Sequence, residues 1–343
     1  MDGMKKDPLL RYWQILDGEA EARYLLSKRI MVDVDLRQDT ESLWEIHASA
    51  MSNEMQAGKT SLLNLKMELA RRMLNDCAFC ERTCHVDRNS GLAGHCGVLE
   101  PKVSSEFLHM GEEPELTPSH TIFFSGCTFD CVYCQNHDIS TDPMSGRTIP
   151  PELLSERIEQ RAGITMGGSR HDVGHPRSVN VNWVGGDPTP NLPFILETLS
   201  RCEANLPQIW NSNMYLTRQA MQLLDGVIDV YLTDFKYGND ECAKRLSNVD
   251  QYMAVIKRNH LLARNQAEVI VRHLVLPSHI ECCTRPALTW IAENLDGVKV
   301  NVMGQYRPAH KARRFDEISC PLSLSEYNIA VGIAQGLGLD LCD

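Results

Sequence analysis

Seven of the 13 cysteines in this 343-residue sequence fall into two short clusters, and the other six are scattered. An odd cysteine count in a long chain without an apolar leader argues against a secreted disulfide framework. Clustered thiols in a reducing compartment are typical of metal binding or catalysis, so we predict a cytoplasmic metal-binding protein. The scattered set, which we expect to pack as small buried hydrophobic residues, consists of Cys202, Cys242, Cys282, Cys283, Cys320 and Cys342.

The overall composition is that of a globular chain. Hydrophobic residues make up 43% of the sequence and charged residues 23%. No run of roughly 18 apolar residues occurs, so no membrane span is predicted. The 34 basic and 45 acidic residues give a net charge of −11, which argues against a main task of holding a phosphate backbone. We therefore expect neither membrane nor nucleic acid as a partner.

Beyond residue 120, apolar β-rich runs alternate with stretches of helical spacing. The predicted strands cover 121–126, 179–184, 208–213, 227–235, 268–276 and 298–303. The predicted helices lie near 151–161, 190–205, 217–225, 250–264, 284–295 and 323–337. Such alternation indicates βα units and a parallel sheet. We predict an α/β fold, a partial (β/α)6 TIM-like barrel with its chemistry at the carboxyl ends of the strands.

The N-terminal part of the sequence differs from the barrel. Residues 1–76 have mostly helical apolar spacing, with Ser61 as a candidate N-cap for a helix over 61–74, although 31–57 has no clear pattern. Residues 77–100 are glycine-rich and aperiodic, so a metal is expected to hold them in place. The predicted segments are a helical extension (1–76), a four-cysteine metal-binding segment (77–100) and the barrel (101–343).

The most informative cluster is Cys127-x3-Cys131-x2-Cys134, directly after the first predicted strand. Three thiolates can hold three irons of a four-iron cube and leave the fourth iron open. The open iron can then chelate a ligand that has an amine and a carboxylate. The alternatives are a three-thiolate zinc site and a chance arrangement.

This spacing resembles the signature of the radical S-adenosylmethionine superfamily. Over about 61–310 the chain also resembles the pyruvate formate-lyase activating enzyme-like group within it. The motifs that carry this second resemblance are CQN after the third cysteine, NVNWVGGDPTP, DFKYG, VRHLVLP and NVMGQYRP.

The resemblance implies a barrel of the radical SAM type, with a [4Fe-4S] cluster on the three cysteines and S-adenosylmethionine on the open iron. Electron transfer from the cluster breaks a carbon–sulfur bond, and the 5′-deoxyadenosyl radical abstracts a hydrogen atom from a substrate. An electron donor such as ferredoxin or flavodoxin is implied as a partner. The substrate, a small molecule or a protein, is left unidentified.

The resemblance also implies residues that contact the cofactor. Asp187 stands where the family more often has Glu, which puts its direct contact in doubt, and the GGDP turn is also an ordinary turn by itself. Gln305 is a candidate substrate contact or part of a structural corner. The implied contacts are Tyr133 near the adenine, the turn residues Gly185, Gly186, Asp187 and Pro188, and the later residues Asn211, Asn213, Asp234, Lys236 and Arg272.

Strand periodicity places these later residues. Asn211 and Asn213 share one face of a strand, as do Asp234 and Lys236. A hydrogen-bonded turn and a structural ion pair are the competing interpretations of the two pairs. Arg272 and His273 are adjacent on the fifth predicted strand, so one of the two is expected to face the site.

The second cluster comprises Cys77, Cys80, Cys84 and Cys96. Four thiolates close either a tetrahedral zinc site or an iron–sulfur cubane, and both remain open. Zinc would make the segment a structural knuckle, whereas a cubane would make it an electron relay or a substrate site. His85 and His95 flank the ligands and are interpreted as bystanders.

Two further functions compete with a radical enzyme of unidentified substrate. One is an activase that installs a glycyl radical on a partner protein, although here the extra cysteines precede the three-cysteine loop, unlike those of well-studied activases. The other is a zinc-stabilised binding module without redox activity. The glycine-rich stretch 161–178, with His171 and His175, is a candidate lid or a surface loop.

Overall fold

The structure, a computed structural model, describes residues 7–52, 58–163 and 177–342. Most of the stretch predicted as a lid or surface loop, including His171 and His175, lies outside the described residues.

The N-terminal extension is helical, as predicted. Its elements are α1 (Leu10–Leu16), α2 (Arg23–Arg29), β1 (Met31–Val32), α3 (Thr40–Ser52), β2 (Thr60–Ser61) and α4 (Leu62–Met73). Helix α3 lies in the stretch that showed no clear pattern. The predicted N-cap is confirmed, because the Ser61 hydroxyl accepts the backbone N–H of Asn64 at 3.2 Å.

Two carboxylates at the amino ends of barrel strands cap the first two helices of the extension. Glu268 accepts the backbone N–H groups of Arg11 and Tyr12 at 2.6 and 2.9 Å. Asp229 accepts the backbone N–H of Arg23 at 3.0 Å. These bonds satisfy orphan donors of α1 and α2 and fix the extension on the barrel.

The main sheet has eight strands in the order β10-β9-β8-β7-β6-β5-β4-β3 and does not close on itself. Strands β4 to β10 are parallel, and β3 pairs antiparallel with β4 at one edge. The strands are β3 (Val103–His109), β4 (Ser119–Phe124), β5 (Asn180–Gly185), β6 (Gln208–Ser212), β7 (Val230–Asp234), β8 (Glu268–Leu274), β9 (Lys299–Met303) and β10 (Asp340–Leu341). The predicted parallel, barrel-like α/β core is confirmed.

Helices connect these strands. They are α5 (His137–Ser140), α6 (Pro151–Ala162), α7 (Leu192–Arg201), α8 (Arg218–Leu224), α9 (Asp240–Ser247), α10 (Tyr252–Gln266), α11 (Arg285–Asn294) and α12 (Leu324–Gly336). All six predicted barrel helices are present, whereas α9 was missed because it is short and mostly polar. None of the helices in the described part of the chain is long and apolar enough to cross a membrane.

Candidate active site

A cavity of about 230 Å³ opens at the carboxyl ends of the parallel strands. Such ends converge on one face of a parallel barrel, which explains why residues far apart in the sequence meet there. The predicted residues that line the cavity are Cys127, Cys131, Tyr133, Cys134, Gly185, Gly186, Asn211, Asn213, Asp234, Lys236 and Arg272. Asp187 and Pro188 do not line it, whereas Gln305 does.

The cysteine loop follows β4 and is held by α9. The backbone N–H groups of Asp130 and Val132 donate to the carbonyls of Ser247 and Leu246 at 3.1 and 2.9 Å. The Ser247 hydroxyl donates to Cys131 Sγ at 2.9 Å. The helix that sequence reasoning missed therefore supports the loop with the central thiol.

Burial raises the pKa of the Cys127 thiol, and it raises that of Cys131 to about 12 although the positive charge of Lys236 opposes it. The metal-free thiols thus keep their protons at neutral pH. A metal that binds here would displace those protons, since thiolates are the ligands.

The glycines of the GGDP turn are required by close packing of the backbone. Gly185 has a φ of +136°, and a Cβ on it would lie 2.1 Å from the Phe124 carbonyl oxygen. A Cβ on Gly186 would lie 2.0 Å from the Gly126 carbonyl oxygen. Only glycine lets this turn lie directly against the start of the cysteine loop.

Asp187 is buried behind the cavity wall. Its carboxylate accepts the Thr189 N–H at 2.9 Å, the Ser212 hydroxyl at 3.0 Å and the Asn213 N–H at 3.0 Å. Burial raises the pKa of this carboxyl, and the three donors oppose that shift. The side chain therefore joins the turn after β5 to the end of β6.

Two amide side chains at the end of β6, Asn211 and Asn213, line the cavity. Asn213 Nδ2 donates to the Thr128 hydroxyl at 2.8 Å, and its Oδ1 accepts the Tyr215 N–H at 3.0 Å. Asn211 Oδ1 lies 3.4 Å from an Arg272 guanidinium nitrogen. Asn211 and Asn213 therefore stand on one face, as their alternation predicts.

Lys236 is the cation beside the cysteine loop. Its ammonium group lies 2.7 Å from the Asp234 carboxylate. Burial lowers the pKa of Lys236, but the negative charge of Asp234 and the hydrogen bond to it outweigh burial and raise the pKa overall. The lysine is therefore charged at neutral pH, and the ion pair considered from the sequence is present.

Arg272, not His273, faces the cavity. Arg272 pairs with Glu113, with nitrogen-to-oxygen distances of 2.7 Å, and also with Glu112. His273 lies on the opposite face and bonds the Phe235 carbonyl at 2.7 Å. The two glutamates follow β3, a strand that the sequence did not predict, so this ion-pair group was missed.

Tyr133 is buried at the cavity wall. Its hydroxyl donates to the Tyr237 hydroxyl at 2.8 Å, and its ring packs edge to face against Tyr306 at 6.0 Å between centroids. Burial raises its pKa well above the usual value, so the phenol stays neutral. The ring is thus held in one orientation beside the cysteine loop.

The four-cysteine segment docks on the loop after β6. The backbone N–H of Glu81 donates to the Tyr215 carbonyl at 3.0 Å, and the N–H of Thr217 donates to the Phe79 carbonyl at 3.1 Å. Burial raises the pKa of Cys77, Cys80 and Cys96, and the charge of Cys84 adds to each shift. The four thiols are therefore close enough to repel one another when ionised.

The same segment also contacts the three-cysteine loop. Arg82 Nε donates to the Thr128 carbonyl at 3.0 Å, and His95 Nε2 lies 3.2 Å from the Asp130 carboxylate. A Cβ on Gly126 would lie 3.0 Å from the Cys96 carbonyl oxygen. His95, interpreted from the sequence as a bystander, therefore joins the two cysteine-containing regions.

One tight group of metal-ligating atoms lies outside the two cysteine clusters. Tetrahedral zinc with Zn–S bonds of about 2.3 Å places its ligand sulfurs roughly 3.8 Å apart. Among the described residues, the group whose His, Cys, Asp or Glu ligand atoms all lie within 4.8 Å of one another is Cys242, His279 and Cys282.

The expectation for the six scattered cysteines is partly wrong. Cys202, Cys242 and Cys283 are buried, but Cys282 and Cys320 are exposed and Cys342 is half-buried. Exposed thiols do not pack as small core residues.

The site combines parallel strands, a cavity at their carboxyl ends and three cysteines after the first parallel strand. Residues 121–285 match the family model described as the Radical SAM superfamily. The chain therefore contains a Radical SAM superfamily domain. Members of that superfamily are enzymes, and the domain implies a [4Fe-4S] cluster and S-adenosylmethionine.

Two relatives are similar to this chain over different shares of its length. The chain is 45% identical over 342 residues to the uncharacterized protein MJ0674 of Methanocaldococcus jannaschii, which covers 96% of this chain and 98% of the relative. It is 24% identical over 159 residues to the pyruvate formate-lyase 1-activating enzyme of Escherichia coli, covering 45% of this chain and 60% of that enzyme.

Two solved structures match this chain with TM-scores below 0.5. Methylornithine synthase (PylB) has a TM-score of 0.45 and 13% identity, covering 96% of this chain and 77% of that chain. Streptococcus suis SuiB bound to S-adenosylmethionine has a TM-score of 0.44 and 14% identity, covering 63% of this chain and 47% of that chain.

Proposed function

We propose that the chain is a radical SAM enzyme that cleaves S-adenosylmethionine reductively and abstracts a hydrogen atom from a substrate. The observation that carries this proposal is the convergence of three thiols, one paired lysine and two amide side chains on one cavity. These residues are Cys127, Cys131, Cys134, Lys236, Asn211 and Asn213.

The donor set fits the two groups that membership of the superfamily implies. Three thiolates leave one iron of a cubane without a protein ligand, and that iron is open to an amine and a carboxylate. When bound, the cluster and S-adenosylmethionine supply one electron and a carbon-centred radical. The remaining chemistry is binding and orientation by the chain's own residues.

Those residues suit a ligand with a carboxylate and hydroxyl groups. Lys236 offers a charge-assisted hydrogen bond to a carboxylate, and Asp234 fixes the position of its ammonium group at 2.7 Å. Asn211 and Asn213 offer amide groups to hydroxyls. Tyr133 provides a buried ring beside the loop for an adenine. The cavity wall excludes water on the side of the buried strands, which limits side reactions of a radical.

The four-cysteine segment is proposed to hold a second iron–sulfur cluster. The observation that supports this proposal is the close approach of the Cys96 carbonyl to Gly126, the residue before Cys127. A cluster at this contact would transfer an electron from the protein surface to the three-cysteine site. Zinc as a structural ion is the competing assignment.

Activation of a protein partner is a second candidate function. The observation that favours it is the 24% identity to the activating enzyme over 159 residues. A partner that copurifies and gains a glycyl radical signal in electron paramagnetic resonance would support it. A radical or product on a small molecule alone would contradict it.

The main proposal is tested by anaerobic reconstitution with iron and sulfide, followed by dithionite and S-adenosylmethionine. We expect 5′-deoxyadenosine to form with the wild-type chain and none to form with Cys131→Ala, which removes one cluster ligand. Cys320→Ala, at an exposed cysteine away from the cavity, serves as the matched control and should keep full activity. A colourless chain that holds only zinc, or cofactor cleavage by Cys131→Ala, would refute the proposal.

A further inference from the structure

A group of two thiols and one imidazole lies outside the cavity. Cys242 stands in the first turn of α9, and His279 and Cys282 stand between β8 and α11. Their ligand atoms all lie within 4.8 Å of one another. Nothing in the cavity chemistry uses these residues.

The imidazole is oriented as a metal ligand is. His279 is buried, and its Nδ1 lies 2.7 Å from the Pro277 carbonyl oxygen. Because a carbonyl only accepts, Nδ1 carries the proton of the neutral imidazole, and the lone pair of that tautomer is on Nε2. Metal-binding histidines usually donate their other ring N–H to such an acceptor, which fixes the tautomer and the ring.

The two backbone segments that supply the thiols are held together by one side chain. Asn239 Oδ1 accepts the Cys242 N–H at 2.7 Å and caps α9, while Asn239 Nδ2 donates to the Cys282 carbonyl at 2.7 Å. A Cβ on Gly238 would lie 2.8 Å from the same carbonyl oxygen, so the segments approach closely. The ligands are therefore positioned before any metal binds.

The turn that carries Cys282 has unusual geometry. Ile280–Thr284 form a turn of π-helix, which is rare and frequent at functional sites. Its last residue is anchored to the barrel, since Thr284 Oγ1 lies 3.0 Å from Nε2 of His273 on β8. The π-turn thus presents Cys282 toward Cys242 from a fixed base.

We propose that Cys242, His279 and Cys282 bind one Zn²⁺, with water in the fourth position. Two thiolates and one imidazole form a ligand set that suits zinc, and sites with three protein ligands keep an open position. Cys282 is exposed, so solvent reaches that position. The neighbouring Cys283 is buried, and its sulfur accepts from Asn239 Nδ2 at 3.8 Å instead.

Zinc at this position would also stabilise α9, the helix that supports the cysteine loop. Helix α9 carries Cys242 in its first turn and Ser247, which contacts Cys131, at its end. Zinc at one end of α9 would therefore fix the element that supports the cluster loop at the other end. This inference rests on the geometry of these residues and holds whether or not the proposed cofactor chemistry is right.

The test is elemental analysis of the cluster-reconstituted full chain after incubation with Zn²⁺ and removal of unbound metal by desalting. We expect zinc to fall by about one equivalent per chain in Cys242→Ser and in Cys282→Ser relative to wild type. Iron should be unchanged, which separates this result from a failure of the cluster proposal. Cys320→Ser, at another exposed cysteine, is the matched control and should keep its zinc.

A spectroscopic measurement on the wild-type chain tests the proposal even if a variant fails to fold. Zinc X-ray absorption on the wild-type chain should show sulfur at about 2.3 Å and nitrogen or oxygen at about 2.0 Å. Equal zinc in wild type and Cys282→Ser would overturn the proposal. So would the absence of zinc from the wild-type chain, or a disulfide between Cys242 and Cys282 in anaerobically purified protein.

Discussion

The two ends of the barrel both contain buried polar residues, but these residues have different partners. At the carboxyl ends of the strands, Lys236 and Asn211 border a cavity beside three cysteine thiols. At the amino ends, Glu268 and Asp229 bond to backbone N–H groups of the extension. The first set is available to a ligand, whereas the second is satisfied within the chain. Changes at the carboxyl ends should therefore alter metal content and catalysis, and changes at the amino ends should alter stability.

The largest effect is expected from Cys84→Ala in the four-cysteine segment. If the segment holds a cubane, the variant should lose about four irons per chain. It should then cleave the cofactor with dithionite but lose most activity with a flavodoxin or ferredoxin donor, because the relay is gone. Iron and zinc analysis with both reductants checks this. Loss of zinc with iron unchanged would assign the segment as a structural zinc site.

Lys236→Met should weaken cofactor binding without unfolding the chain. Loss of one hydrogen bond to a charged group corresponds to a rise in KM for S-adenosylmethionine of roughly 10–100-fold. The matched control is Lys299→Met, which removes a lysine–carboxylate pair with Glu115 (2.5 Å) at the amino end of β9. Equal KM changes in the two variants would show that Lys236 does not act on the cofactor.

Glu268→Ala should lower the stability of the chain and leave cofactor binding unchanged. The free energy of unfolding is expected to fall by about 1–2 kcal/mol, because the first turn of α1 loses its two acceptors. Burial raises the pKa of Glu268 to about 7, so the stability that this carboxyl contributes falls as the pH rises through 7, and denaturant unfolding is best compared at pH 6. Cofactor cleavage should be unchanged, and the exposed Glu293→Ala is the control. A change in the KM for S-adenosylmethionine without a fall in the free energy of unfolding would contradict the different roles assigned to the two ends of the barrel.

The smallest effect concerns Lys66 on α4, which is fully buried beside His47 and the Gln222 carbonyl. Burial lowers its pKa to about 7. Between about pH 7 and its ordinary value of 10.5, the unfolded chain binds a proton that the folded chain does not. The free energy of unfolding should thus rise with pH in this window, by at most about 1.4 kcal/mol per unit.

Lys66→Met should remove that rise, and the melting temperature at pH 7, 8 and 9 measures it. The comparison uses the difference between variant and wild type, because other groups titrate in both. An unchanged pH dependence in Lys66→Met would show that the lysine is charged inside the folded chain.

Much of this architecture follows from local sequence patterns. The six apolar runs became β4 to β9 because parallel strands buried on both faces need continuous apolar residues. The spacing of Cys127, Cys131 and Cys134 is local, and the Ser61 cap is local as well. Such features depend on neighbours in the sequence, which a single chain displays.

The rest depends on contacts between distant segments. Cys242 and His279 are in separate βα units and meet only because α9 packs on the π-turn. Arg272 pairs with Glu112 and Glu113 through β3, an edge strand with no clear periodicity. Neither contact leaves a local signal in the sequence.

The caps on the extension have a consequence for the order of folding. Helices α1 and α2 have seven residues each, and isolated helices below about 12–15 residues are marginal in water. The carboxylate that caps α1 comes from a residue 257 positions later than Arg11. During synthesis the first helices therefore leave the ribosome long before their partner on β8 exists. We expect these helices to dock late, so that segments that are synthesised early are among the last to fold.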